Sequence, residues 1–150
     1  MIQIINDDIF NAFGHSCDAI CHQVNCQGVM GAGLAKEIAK RYPEVKRDYE
    51  ELCAEEDAER LLGTYLDTLV ENGRIISIFG QENYGRDGQI YTDYAALGKA
   101  FSMLNRVYAG RKLAFPYGIG CGLGGGNWNV VLEIINVKFC DANVVIFRKG

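Results

Sequence analysis

The sequence predicts an α/β fold of three layers, with helices on both faces of a central mixed sheet of about six strands. Three observations carry that expectation. Short apolar runs alternate with amphipathic stretches along all 150 residues, without repeats or low-complexity linkers. Most of the short runs are apolar throughout rather than at every second position, as in strands covered on both faces. Two glycine-rich segments each follow such a run and lead into a helical stretch, the place where open α/β sheets hold ligands.

In chain order, the strands expected are 2–5 (IQII), 19–24 (AICHQV), 63–70 (GTYLDTLV), 74–79 (RIISIF), 112–116 (KLAFP) and 143–147 (NVVIF). Between them, Leu34, Ile38 and Tyr42 recur at the helical period. A further helix occupies part of 44–60, entered past Pro43, whose fixed φ suits a first turn. Tyr94, Leu97, Phe101, Leu104 and Tyr108 form one apolar stripe, and Trp128, Val131, Ile135 and Phe139 another. The length suits one domain spanning 1–150, able to bury a core without metal or disulfides.

Fifteen Lys and Arg against nineteen Asp and Glu give a net charge of -4 with no basic block, which disfavours general nucleic-acid binding. No apolar run is long enough to span a membrane. The opening MIQIINDDIF lacks the basic and long apolar parts of a secretion signal, so a cytoplasmic chain with reduced cysteines is expected. Cys17 and Cys21 have no downstream Cys/His pair at zinc-finger spacing; neither a metal nor another cofactor is expected.

The first glycine segment, HQVNCQGVMGAGLA, places Gly28, Gly31 and Gly33 just before a helix. Glycine lets the backbone approach a ligand, and the first-turn N–H groups and helix dipole attract an anion. The pattern lacks the Gly-Lys-Ser/Thr end of a Walker loop and the spacing of a dinucleotide fingerprint. That spacing, with the short chain, argues against a nicotinamide-dependent oxidoreductase. The second segment, PYGIGCGLGGGNWN, has six glycines in residues 118–126 and a candidate cap in Asn127. Six glycines cost much folding entropy, more than a plain turn warrants. Two such loops side by side could clasp a diphosphate.

Other polar residues carry two readings each. Asp8 could accept from an exocyclic amine or cap a helix; Asn25 could bond a ribose hydroxyl or its own loop backbone. His22 lies in an apolar run and could be a ligand contact or a hydrogen-bonded core residue. Asp93 could act in chemistry or cap the following helix. Cys26 and Cys121 could be nucleophiles or small packing residues.

The two loops, VNCQGVMGAGLA and PYGIGCGLGGGNW in this order, resemble those of macrodomains, and the resemblance extends over essentially the whole chain. It is nearest to the branch with terminal ADP-ribose glycohydrolases and ADP-ribose 1''-phosphate phosphatases, together with bacterial and phage relatives. The resemblance implies a three-layer domain that binds ADP-ribose, on its own or attached to proteins. By the same resemblance Asp8 would hold the adenine, Ile9 would lend a backbone amide, and Asn25 would lie beside the distal ribose. Gly31, Ala32, Gly33 and Leu34 would form the first diphosphate loop, Ile119, Gly120, Cys121, Gly122 and Leu123 the second, and Phe147 would face the adenine.

Two departures bear on chemistry. Gln81 and Glu82 stand where the glycohydrolases carry a catalytic lysine, and Gly124 stands where they carry an aspartate. Their lysine-adduct mechanism therefore does not transfer. His22 and Asp93 match the phosphatase-like members, which implies Asp93 as general base or positioning group for a water, with His22 orienting or protonating and Asn25 holding the ribose. An alternative is a binding module that cleaves nothing. The segment 80–94 is expected as a surface loop, either edging the pocket with Tyr84 or Arg86, or solvated with an Arg86–Asp87 pair.

Overall fold

A computed structural model describes residues 2–149. Its elements run β1 (Ile2–Ile5), α1 (Ile9–Ala12), β2 (Ala19–Asn25), α2 (Gly33–Arg41), α3 (Pro43–Glu55), α4 (Ala58–Leu61), β3 (Tyr65–Val70), β4 (Gly73–Gln81), α5 (Tyr94–Val107), β5 (Lys112–Pro116), α6 (Trp128–Lys138) and β6 (Asn143–Phe147). The strands form one sheet in the order β1-β6-β5-β2-β4-β3. Every expected strand and helix forms. The one-turn helices α1 and α4 were not foreseen, because four residues are too few to display a helical period.

The sheet is mixed for a local reason. Only Glu71 and Asn72 separate β3 from β4, so this pair is an antiparallel hairpin, whereas the other neighbours are parallel.

Alternation along the central strands divides the core into two layers. Ile20, Val24, Ile75 and Phe79 face α2 and α3, packing in one cluster with Ile38, Val45 and Tyr49. Cys21, Ile76 and Ile78 face α5 and α6, packing with Leu97, Phe101, Leu104, Val131 and Ile135. Burying each large side chain stabilises the fold by about 1.5–3 kcal/mol, which is why the continuously apolar runs end up between helices.

The helix signals act as expected. Pro43 opens α3, Asp93 Oδ1 accepts from Ala96 N at 3.0 Å, and Asn127 Oδ1 accepts from Asn129 N at 2.9 Å. Because β1, β6, β5, β2 and β4 are mutually parallel, their C-terminal ends lie along one edge. Asp8, Phe147, the loop after Pro116, Asn25 and Gln81 follow one another there in strand order.

Candidate functional site

A cleft crosses that edge. Its larger lobe, about 490 Å³, is lined by both glycine loops and by His22, Asn25, Gln81, Tyr84 and Arg86. A smaller lobe of about 310 Å³ is lined by Asp7, Asp8, Ile9, Phe10, Phe147, Arg148 and Lys149. Leu34, Pro116 and Tyr117 line both, so the lobes form one elongated groove from the β1 end to the β4 end.

The middle of the groove is lined by backbone N–H groups that have no backbone acceptor among the described residues. In the first loop, no described backbone acceptor takes the N–H groups of Gly31, Ala32, Gly33, Leu34 and Ala35; the first α2 bond runs from Lys36 N to Ala32 O at 3.2 Å. These residues all line the larger lobe. For Gly33, Leu34 and Ala35 helix geometry forces this, since first-turn N–H groups have no carbonyl behind them, and α2 has no side-chain cap to substitute. Gly33 has φ +57, which lets the chain enter the helix with its amides facing outward.

Asn25 holds this loop in shape. Its Oδ1 accepts from Gln27 N at 2.9 Å and from the Tyr49 hydroxyl at 2.9 Å, while its Nδ2 donates to Val29 O at 2.9 Å. One Nδ2 hydrogen remains for a ligand, so the loop-backbone role is observed and the ligand role stays compatible with it.

The second loop supplies the facing wall. Gly120, Gly122, Leu123 and Gly124 line the lobe, and among the described residues their N–H groups have no backbone partner. Cys121 departs from expectation. Its N–H bonds Gly118 O at 2.8 Å, its thiol donates to Ile119 O at 3.4 Å, and it does not line the cleft. The tight turn from Gly118 consumes the amide that a ligand would need.

Behind this loop lies a polar hub that the sequence did not reveal. Gln23 Nε2 donates to Gln81 Oε1 at 2.7 Å and to Thr92 Oγ1 at 2.9 Å, and Thr92 Oγ1 donates to Gly120 O at 2.6 Å. Tyr91 N and Thr92 N both donate to Gly124 O. The hub joins β2, β4, the 82–91 segment and the second glycine loop, through pairs too far apart in sequence for any local pattern to show. The neighbouring Thr-Asp at 92–93, just before a helix, was the only local hint of polar work there.

At the β1 end, Asp8 caps α1 through Phe10 N at 3.0 Å and also lies 3.4 Å from Lys149 Nζ. The Phe10 hydrogen bond is the main cause holding its carboxyl below the usual range, so it is ionised at neutral pH and still lines the groove. The N–H of Ile9 is free of backbone acceptors among the described residues. Phe147 lines this lobe but is only 5% exposed, so it offers little of its ring. Tyr117 offers more, lying between the tilted Trp128 ring and the Arg148 guanidinium, which sits 4.2 Å from its centroid.

At the β4 end, His22 is 2% exposed and its Nε2 lies 2.8 Å from Ser77 Oγ, while Nδ1 has no partner. Burial pushes its pKa down to about 3, so it is a neutral imidazole and cannot serve as an imidazolium acid near pH 7. The general-base expectation for Asp93 loses its geometric basis. Asp93 lines neither lobe, its N–H bonds Gly80 O at 2.8 Å, and its carboxylate is occupied in capping α5. Burial pushes the Cys26 thiol up to about 12, and the thiol donates to Gln81 O, which favours the packing reading. The Arg86–Asp87 pair does not form; Asp87 accepts instead from the Tyr91 hydroxyl at 2.7 Å and from Gln89 N.

Comparison with known proteins fits this geometry. No family model matches the chain. It is 32% identical over 84 residues to the ADP-ribose 1''-phosphate phosphatase of Saccharomyces cerevisiae (strain YJM789), covering 51% of this chain and 48% of the relative. It is 30% identical over 112 residues to the protein of that name from Debaryomyces hansenii, covering 64% and 63%. The chain thus spans between about half and just under two-thirds of these relatives. The solved macrodomain of Mycobacterium tuberculosis DarG superposes with a TM-score of 0.79 at 27% identity, covering 98% of this chain and 97% of that one. With its mixed six-stranded sheet, helices on both faces and paired glycine loops over the strand ends, the chain has the macrodomain fold and is similar in sequence to members of that family.

Proposed function

We propose that the protein binds ADP-ribose or an ADP-ribosyl derivative along the groove and hydrolyses a bond at the distal ribose, a 1''-phosphate or an ADP-ribosyl ester. The observation that carries this reading is the row of unpartnered N–H groups, Gly31 to Ala35 facing Gly120 and Gly122 to Gly124, in mid-groove. A diphosphate there would have Asp8 and Tyr117 at its adenine side and Asn25, His22 and Arg86 at its distal side. The two phosphatases named above support the hydrolytic half.

Hydrolysis of a 1''-phosphate breaks the bond between phosphorus and the ribose oxygen, water supplies the new oxygen, and the ribose leaves with a proton. In this groove the amides offset the anionic charge without reorganising. Asn25 Nδ2 is the side-chain donor left to orient the ribose, while His22 Nδ1 is unpartnered but buried away from solvent. Among the described residues no Asp or Glu lines the larger lobe, an observation that favours a second reading, an ADP-ribose binding module without turnover. ADP-ribosylated proteins would then be its partners. All six cysteines are unpaired, which suits a cytoplasmic setting; among the described residues no helix is long and apolar enough to cross a membrane.

Calorimetric titration with ADP-ribose, ADP and NAD, followed by a phosphate-release assay on ADP-ribose 1''-phosphate, tests both halves. Micromolar or tighter ADP-ribose binding with phosphate release supports the hydrolase. Binding without release supports the module, and no binding removes the ADP-ribose assignment.

A further inference from the structure

Among the described residues lining the larger lobe, Arg86 alone carries a formal charge; the only other titratable groups there are the neutral imidazole of His22 and the phenols of Tyr84 and Tyr117. Carboxylates close to Arg86 in sequence are turned elsewhere. Asp87 is held by Tyr91 and Gln89, Glu82 accepts from Asn83 Nδ2 at 3.4 Å, and neither lines the lobe. Among the described residues Arg86 makes no ion pair.

The segment that carries it is anchored rather than free. A bridge between Gln81 and Thr92 closes its base, Tyr91 N and Thr92 N bond Gly124 O at 2.7 and 3.0 Å, and Asp87 is tied back to Tyr91. Gly85 packs against the Tyr91 hydroxyl and ring, so a side chain there would have to displace Tyr91. Strand order places this segment after β4, beyond the first glycine loop and on the opposite side of the clasp from Asp8.

We infer that Arg86 is a specificity-determining residue for the group on the distal ribose, selecting an anionic substituent, a phosphate monoester, over an uncharged one. The inference rests on the ADP-ribose reading of the groove and narrows it. A guanidinium presents several N–H donors in a plane and matches phosphate oxygens in pairs, and its charge has no internal competitor in this lobe. An uncharged ester or a free hydroxyl would leave that charge facing only water.

The test is parallel titration of wild type, Arg86→Gln and Arg86→Lys with ADP-ribose and ADP-ribose 1''-phosphate at low salt, with released phosphate assayed in each sample. Wild type should bind the phosphorylated ligand about tenfold tighter than ADP-ribose, the gain expected of one charge-assisted contact. Arg86→Gln should reduce that ratio to about twofold or less, and Arg86→Lys should keep part of it; added salt should erode the wild-type preference. ADP-ribose binding with no preference, or a preference that survives in Arg86→Gln, overturns the Arg86 inference alone. Binding of neither ligand by wild type overturns the groove reading and this inference with it.

Discussion

A Cβ added at Gly31 would meet nothing closer than 3.9 Å, and at Gly33 nothing within 4 Å, whereas one added at Gly120, Gly124 or Gly126 would lie 2.7 to 2.8 Å from protein atoms. The two loops therefore use glycine for different reasons. In the first, the space is left to a ligand and the constraint is conformational, a positive φ at Gly33. In the second, Gln23, Thr92 and the loop's own Gly120 carbonyl already fill the space at Gly120, Gly124 and Gly126, where glycine allows the backbone to close over the polar hub, while Gly118 and Gly122 have open space as in the first loop. The first loop should respond to mutation through binding, the second through stability.

The largest effect should come from Gly33→Glu. Its carboxylate would occupy the diphosphate position with like charge, so ADP-ribose affinity should fall at least about 100-fold, equivalent to roughly 3 kcal/mol. Its stability should fall by only about 1–2 kcal/mol for the left-handed backbone. Full binding by this variant in calorimetry would break the comparison. Gly124→Ala should show the reverse, losing about 1–3 kcal/mol of stability through overpacking against Thr92 Oγ1, read by urea denaturation. A well-folded Gly124→Ala protein with a wild-type midpoint would mean the hub yields easily. Thr92→Val, which keeps shape but removes the hydroxyl that joins Gln23 to Gly120 O, should cost about 1–2 kcal/mol. Asp93→Ala should cost about 1 kcal/mol as a lost cap while leaving ADP-ribose affinity and any turnover in place. Abolished turnover in that folded variant would restore the general-base role.

His22 sharpens the contrast at the floor of the groove. Its folded pKa of about 3 lies below the ordinary histidine value of 6.5, so between those values the unfolded chain binds the extra proton. Above pH 6.5 the group adds no pH dependence, and from there down to about pH 3 it destabilises the fold increasingly. His22→Gln should flatten the fall of thermal midpoint over that range; an unchanged slope would place the acid sensitivity in other groups.

How much of this was legible in the sequence depended on the range of the interactions involved. The strands and the longer helices were, because apolar runs and the helical period are local, and so was the cap at Asn127. The glycine loops were visible as composition and as a family resemblance. Their division of labour was not, since Gln23 meets Gln81 and Thr92 across 58 and 69 residues. For Asp93 the two readings could not be separated in sequence, because a cap and a catalytic carboxylate look alike until the carboxylate's partner is seen. The bonding of the Cys121 amide was hidden for a similar reason: whether a loop amide is free depends on the turn it closes.

The central claim, that facing backbone amides form the anion clasp, is tested most directly by following amide resonances of isotope-labelled protein as ADP-ribose is added. The account predicts the largest shifts at Gly31 to Ala35 and at Gly120, Gly122, Leu123 and Gly124, with Cys121 moving less because its N–H is already bonded to Gly118 O. Shifts confined to other surfaces, with both glycine loops unmoved at saturation, would contradict it.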